Sequence, residues 1–359
     1  MKNKYIVIIA IIGLIIIDII IINKKTIKIP TSNIDTYKLN SQITWNPRIT
    51  TNAEWISKYK PRYIITGMHN DIYISDVGNS TIVRINIQNK QFKIIGKQGK
   101  NKGDYYEPRE MAIHKESATL WIIDRQLSRI SRYKIDSINE EFSDSFNIPG
   151  YFSGGGDGIK IRDEHTFWTC PGESDNLVYL YKDDKNIINA FGNLWIPNSN
   201  NKENIPISWI YNEIYLRRIN EHVLAIIWMT RPYIELWDVN GDKLLSEELL
   251  LPEFEIMKSR KYPQNAMPTF VSGTDIDINK QAIYIMCPYM KNIIVIYNIS
   301  SQTLKPIGRF FCTFEKDRYC SNLIVGTKND QTIFYALDYL SGELIEMNIF
   351  QKVYTSAMK

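Results

Sequence analysis

The feature that most constrains the fold of this chain is a strand-like run that recurs at intervals of 46 to 59 residues. Each copy is rich in aromatic and β-branched residues, follows a polar turn, and precedes a short loop and a second strand-like run. Regular self-similarity of this kind indicates a repeat architecture. The six copies are DIYISD ending at Asp76, TLWIID at Asp124, TFWTC at Cys170, VLAIIW at Trp228, AIYIMC at Cys287 and TIFYALD at Asp338.

Each repeat predicts four strands, named A to D in chain order. In the first repeat the four runs are RYIITG, DIYISD, TIVRINI and QFKIIG. Four antiparallel strands in a repeat of this length are typical of a propeller blade, and stacking of blades buries the faces that a single sheet leaves exposed. The sequence therefore predicts an all-β fold: a six-bladed β-propeller of four-stranded antiparallel blades over residues 61–359, preceded by one N-terminal hydrophobic helix.

The stretch IYISDVGNSTIVRI, residues 72–85, resembles the core of an NHL repeat, in which a strand ends in Asp, turns through Gly-Asn, and resumes with Arg-Ile. The second repeat extends the likeness with LWIID and SRISRY. The later repeats keep the strand rhythm but lose most of the motif, and they resemble the looser NHL-like and TolB-like propellers that are common in exported bacterial proteins. The resemblance implies a fold and leaves the function open, because propellers host many unrelated activities.

The sixth repeat offers runs for strands A, B and C, and only FQKVYTSAMK follows them. We expect a segment within residues 36–58, including YKLNSQITW, to supply the outer strand of this blade. Such pairing joins the two ends of the repeat region in one sheet and covers an exposed strand edge.

Residues 5–22 form a long apolar run that only one charge, Asp18, interrupts. A membrane-spanning helix needs about 20 apolar residues, with a range down to about 17. No small-residue cleavage pattern follows the run, which favours an uncleaved anchor over the alternative, a cleaved signal peptide. We expect residues 1–25 to be the membrane anchor or uncleaved signal, residues 26–60 a linker with the ring-closing strand, and the propeller to lie outside the cytoplasm, in the periplasm or at the cell surface.

In a propeller the B–C and D–A loops surround one mouth of the central tunnel, where we expect a ligand. These loops combine charged and aromatic residues, which suits a protein, peptide or glycan partner, and the alternative is that they are ordinary solvated loop residues. The candidate ligand-binding residues are Arg109, Glu110, Arg125, Asp157, Glu173, Arg231, Tyr289 and Lys291.

No catalytic set is recognisable, and we assign no catalytic residue. The four histidines fall in the predicted A–B turns, on the opposite face, and have no metal-ligand spacing. In enzyme members of the six-bladed class that the chain resembles, carboxylates and amides around the tunnel hold a calcium ion. The alternative function is therefore a lactonase-like, divalent-metal-dependent hydrolase or lyase. The leading hypothesis, a membrane-anchored binding or scaffold module, requires no cofactor. A third hypothesis is that the protein is a purely structural partner in an envelope complex.

The charge of this chain argues against nucleic acid as a partner. The formal net charge is +4, without a run of five or six basic residues, whereas phosphate tracking needs a concentrated basic surface.

The four cysteines show no metal-binding spacing. Cys312 and Cys320 are eight residues apart between the fifth and sixth repeats, so a disulfide there is compatible with an extracytoplasmic location. Cys170 and Cys287 belong to non-adjacent repeats, so we expect no bond between them.

Overall fold

The chain is a six-bladed β-propeller, as the sequence predicts, and its blades are four-stranded and antiparallel. The predicted N-terminal helix and anchor lie outside the described residues, within which no helix is long and apolar enough to cross a membrane. The computed structural model describes residues 35–45, 61–69, 71–136, 139–148, 159–170, 175–183, 186–195, 212–249, 252–259, 268–277, 280–287, 293–300, 303–312, 319–328, 331–338 and 341–353.

The first described strand, β1, precedes the blades and spans Asp35–Trp45. Blades I to III follow in chain order, each with strands A to D. Blade I contains β2 (Pro61–Thr66), β3 (Asp71–Asp76), β4 (Thr81–Asn86) and β5 (Phe92–Ile95). Blade II contains β6 (Pro108–His114), β7 (Thr119–Asp124), β8 (Arg129–Ile135) and β9 (Glu140–Asn147). Blade III contains β10 (Ile159–Ile161), β11 (Thr166–Thr169), β12 (Asn176–Lys182) and β13 (Ile187–Asn193).

Blades IV to VI complete the ring, and a short helix, α1 (Pro252–Ser259), precedes blade V. Blade IV contains β14 (Ile214–Arg218), β15 (Val223–Trp228), β16 (Tyr233–Asp238) and β17 (Lys243–Glu248). Blade V contains β18 (Gly273–Asp277), β19 (Ala282–Cys287), β20 (Ile293–Ser300) and β21 (Thr303–Cys312). Blade VI takes strands A to C from β22 (Cys320–Lys328), β23 (Gln331–Asp338) and β24 (Leu344–Val353).

The B strands form the centre of the core because both of their faces are covered by neighbouring blades. Every residue of β3, β7 and β19 is buried. Between blades II and III, for example, the ring of Trp121 lies 5.7 Å from that of Phe167. The outer strands β5 and β17 consist mostly of exposed or partly buried residues, as expected where one face meets solvent.

Two arginines on adjacent C strands connect neighbouring blades. In blade I, Nε of Arg84 donates to Asp71 at 2.8 Å, and its Nη1 lies 2.5 Å from Glu140 of blade II. In blade II, Arg132 occupies the corresponding place and lies 3.1 Å from Asp183 of blade III. These contacts fix blade spacing at the first two interfaces, where the NHL-like sequence is strongest.

The ring closes through β1, which contains YKLNSQITW, the run that the sequence predicts as the outer strand of the sixth blade. It pairs antiparallel with β24, from Thr36 opposite Val353 to Trp45 opposite Leu344. Its other edge pairs in parallel with β21, so that blades V and VI form one eight-stranded sheet. The sequence analysis did not anticipate this second pairing, which satisfies the edge groups of both outer strands.

Candidate functional site

A cavity of about 560 Å³ lies where the A strands begin, on the face of the B–C and D–A loops. We call it the upper cavity, and it includes three of the eight predicted residues, Arg109, Glu110 and Arg125. The side chains that share it come from blades I, II, IV, V and VI within the described residues, so it lies on the propeller axis. Other lining residues used below are Arg62, Tyr63, Glu213, Tyr215, Tyr319 and Asn322.

Glu110 and Arg125 form a buried ion pair in the wall of the upper cavity. Nε of Arg125 donates to Oε2 of Glu110 at 3.4 Å, and its Nη2 contacts Oε1. Their side chains are only 4% and 10% exposed. Removing two charges from water is costly unless each has a partner, so the pair is a rigid element of the wall.

The turn after β7 places Arg125 in this position. The Asp124 carboxylate accepts hydrogen bonds from the backbone N–H of Tyr106 at 2.6 Å and of Leu127 at 2.9 Å. The N–H of Arg125 donates to the carbonyl of Glu107 at 3.1 Å. The Asp that ends the NHL-like strand therefore ties the B–C turn to the preceding D–A loop, and the following residue enters the tunnel.

In the upper cavity, Arg109 is more accessible than Arg125. Its Nε donates to Glu107 at 2.7 Å, and its side chain is 28% exposed. A partly exposed ion pair of this kind contributes little to stability, and the Arg109 guanidinium has further donors for a ligand.

Tyrosine hydroxyl groups add hydrogen-bonding capacity around the arginines. Tyr63, Tyr215 and Tyr319 line the same cavity. Burial raises the pKa of Tyr215 well above its usual range, with smaller contributions from Tyr319 and Glu213. The Tyr215 phenol is therefore protonated at neutral pH and can donate a hydrogen bond.

The sequence analysis missed several lining residues that lie at the starts of A strands. Glu213 directly precedes β14, Tyr319 directly precedes β22, and Arg62 is the second residue of β2. Asn322 adopts a φ of 54°, and its amide donates to the Arg62 carbonyl at 2.8 Å across the junction between blades VI and I. Their position is the signal that could have found them, because they lie beside D–A loops, and the candidates chosen from D–A loops came only from blades II and III.

Arg231 does not line the upper cavity. Its guanidinium carbon lies 3.7 Å from the ring centre of Trp228, 4.8 Å from that of Trp195 and 5.4 Å from that of Tyr233. Burial lowers the pKa of Arg231 to about 10, with Glu235 opposing the shift. The side chain thus contributes to packing between blades III and IV.

The remaining predictions for the site concern residues outside the description. Asp157, Glu173, Tyr289 and Lys291 lie outside the described residues, so their placement at the mouth stays a prediction. The Cys312–Cys320 disulfide also stays a prediction, because the Cys312 side chain is not described.

The calcium alternative requires several oxygen ligands around the tunnel. Among the described residues, no three His, Cys, Asp or Glu side chains come together as a metal-binding group. Three of the four histidines, His69, His165 and His222, lie between strands A and B as predicted, whereas His114 is the last residue of strand A, β6. The metal-dependent alternative thus stays a prediction without a donor set in this part of the chain.

Comparisons with known proteins identify the architecture. No protein-family model matches the sequence, and no curated protein matches it. Among solved structures, the chain is similar to a candidate exported protein from Bacteroides fragilis, with 11% identity, a TM-score of 0.52, and coverage of 88% of this chain and 100% of that one. It is also similar to the WD40 repeats of RRP9, with 11% identity, a TM-score of 0.54, and coverage of 86% and 97%. At these identities the likeness shows the propeller fold alone.

Proposed function

We propose that this protein is a membrane-anchored, extracytoplasmic propeller of the NHL-like or TolB-like type that binds a peptide or glycan in the upper cavity. The observation on which the proposal depends is the composition of that cavity. Arg109, the buried Glu110–Arg125 ion pair and three tyrosines share a space of about 560 Å³ on the propeller axis with Arg62 and Glu213. A concave site with a few convergent polar groups is the usual form of a ligand pocket.

The polar groups of the upper cavity favour a ligand with carboxylate groups, presented either by a peptide or by an acidic glycan. Arg109 can form paired hydrogen bonds with a carboxylate, a geometry that arginine favours. The protonated Tyr215 phenol provides a further donor, and tyrosine rings supply flat apolar surface for a peptide side chain or a sugar ring.

The proposed location rests on the apolar run at residues 5–22, which is long enough to span a membrane. The similarity to a candidate exported protein is compatible with this location. The hydrogen bonds that the Asp124 carboxylate accepts from Tyr106 and Leu127 support the NHL-like type. Asp124 is the aspartate of the NHL-like motif, and it organises the turn that leads to the site.

The test is a binding screen with the full-length protein in detergent, on one array of acidic and neutral peptides and another of acidic and neutral glycans. We expect acidic members of one array to bind, and Arg109→Ala to weaken the best ligand by about tenfold, equivalent to about 1.4 kcal/mol. Lys182→Ala is the matched control, because Lys182 is an exposed cation at the end of β12. Equal affinities of wild type and Arg109→Ala, or preference for neutral ligands, would contradict the proposal.

A further inference from the structure

The B–C turn of blade IV, residues 229–232, contains an arginine whose hydrogen-bonding groups are unused. Arg231 forms no ion pair with the described residues and donates no hydrogen bond to them, and its Nε is buried without an acceptor. More deeply buried arginines of the ring do have acceptors: Arg125 contacts Glu110, and Arg129 donates to three backbone carbonyls. A buried donor without an acceptor is costly, so the donors of Arg231 require an explanation.

Three aromatic rings hold the Arg231 guanidinium in place. Its central carbon lies 3.7 Å from the ring centre of Trp228 and 4.8 Å from that of Trp195. The ring centre of Tyr233 is 5.4 Å away. Cation–π attraction acts on the charge and does not replace an acceptor for the N–H groups. The guanidinium is therefore positioned by the rings while its donors remain available to an acceptor.

Backbone hydrogen bonds fix the turn that carries Arg231. The N–H of Met229 donates to the Glu213 carbonyl at 3.0 Å, and the Met229 carbonyl accepts the N–H of Phe270 at 2.7 Å. The Pro232 carbonyl accepts the N–H of Leu249 at 2.6 Å. A site on such a turn is already ordered before a ligand arrives, which reduces the entropic cost of binding.

Trp195 is fixed in the same way, by the segment that enters blade IV. Oδ1 of Asn212 accepts the backbone N–H of Trp195 at 2.8 Å, and its Nδ2 donates to the Trp195 carbonyl at 3.2 Å. Trp228 is buried, whereas Trp195, Arg231 and Tyr233 are each partly exposed. A ligand from solvent can therefore reach the guanidinium beside the two outer rings.

Glu235 acts on Arg231 from a distance and does not serve as its acceptor. Burial lowers the pKa of Arg231 to about 10, and Glu235 opposes this shift. Both Glu235 oxygens are already in use, because Oε2 accepts Nε1 of Trp237 at 2.9 Å and Oε1 accepts Nζ of Lys243 at 3.0 Å. Arg231 is thus charged at neutral pH, and a carboxylate brought by a ligand would supply the missing acceptor.

We propose that Arg231 and the rings of Trp195 and Tyr233 form a binding site for an organic carboxylate with a flat apolar body. The carboxylate accepts paired hydrogen bonds from the guanidinium, a geometry that arginine favours. The body packs against the exposed parts of the two rings and against Leu194, which is partly buried beside them. These residues do not line the upper cavity, so the site does not depend on the function proposed there.

The experiment is calorimetric titration of the full-length protein in detergent with para-benzoylbenzoate, and with para-benzoylbenzamide as the neutral analogue. At neutral pH we expect the carboxylate to bind and the amide to bind about tenfold more weakly. Arg231→Lys keeps the charge over Trp228 but loses the planar pair of donors, so it should weaken the carboxylate about tenfold.

Arg162→Lys is the matched control. Arg162 is an exposed arginine whose guanidinium carbon lies 5.9 Å from the ring centre of Trp168, so the same change is made beside a tryptophan at another place. We expect this variant to bind para-benzoylbenzoate as the wild type does. Urea unfolding of both variants shows whether Arg231→Lys is folded, because a lysine keeps the attraction of a cation to the ring.

Photolabelling locates the ligand on the unaltered protein, whether or not a variant folds. Irradiated para-benzoylbenzoate bonds to C–H groups that it touches, and we expect the label in peptides that contain residues 194–195 or 229–233. Absence of binding, equal affinities for carboxylate and amide, equal affinities of wild type and Arg231→Lys, or label confined to other peptides would overturn the proposal. Those results would leave Arg231 as a packing residue between blades III and IV, and they would not affect the upper-cavity proposal.

Discussion

The B–C turns of blades II and IV each contain an arginine, yet the two side chains have different roles. Arg125 of blade II enters the tunnel and pairs with Glu110. Arg231 of blade IV stays at the interface between blades, over the ring of Trp228. Both were selected from the sequence by the same rule, and only Arg125 lines the upper cavity.

The residue that ends the B strand explains the difference. In blade II this residue is Asp124, whose carboxylate accepts backbone N–H groups and ties the turn to the preceding loop. In blade IV it is Trp228, whose ring offers a face that attracts a guanidinium. A loop position therefore predicts a site residue only when a partner in the tunnel is available to hold it.

The largest effect on this comparison should come from Glu110→Ala. The change leaves Arg125 as a buried cation without its carboxylate, which costs about 3 to 5 kcal/mol of unfolding free energy. Urea unfolding followed by circular dichroism measures the loss. Glu116→Ala, at a side chain that is 80% exposed, is the control and should change stability by less than about 0.5 kcal/mol. Similar losses in the two variants would contradict a buried pair.

A smaller loss is expected for Asp124→Ala. The change leaves the N–H groups of Tyr106 and Leu127 without their acceptor, at a cost of about 2 to 3 kcal/mol. The same unfolding measurement applies, and Asp124→Asn should lose less because it keeps one acceptor oxygen. If alanine and asparagine are equally stable, the hydrogen bonds do not organise the turn.

The smallest effect is expected for Arg231→Met, which keeps an apolar stem over Trp228 and removes the charge. Loss of the cation–π contact should cost about 1 kcal/mol, and binding of the upper-cavity ligand should stay within twofold of wild type. Parallel unfolding and binding titrations test both expectations. A tenfold loss of ligand affinity would place Arg231 in the site after all.

Much of the fold follows from the sequence because blade geometry depends on local patterns. Runs such as TLWIID are buried on both faces of a blade, and their repetition is readable without a structure. The parallel pairing of β1 with β21 could not be predicted from the sequence, because it depends on how two distant strand edges meet in space.

Only part of the candidate site could be predicted from the sequence. Arg109, Glu110 and Arg125 were selected because the B–C and D–A loops surround one mouth of the tunnel, and the same reasoning applied to the D–A loops of blades I and VI would also have selected Arg62 and Tyr319.

The central claim is that a ligand binds at the upper mouth of the tunnel. Hydrogen exchange of the full-length protein, measured by mass spectrometry with and without the best array ligand, tests it most directly. The account predicts slower exchange at the starts of β2, β6, β14 and β22 and in the turn after β7, with the outer strands unchanged. Protection confined to the outer strands, such as β5, β13 and β17, would contradict it.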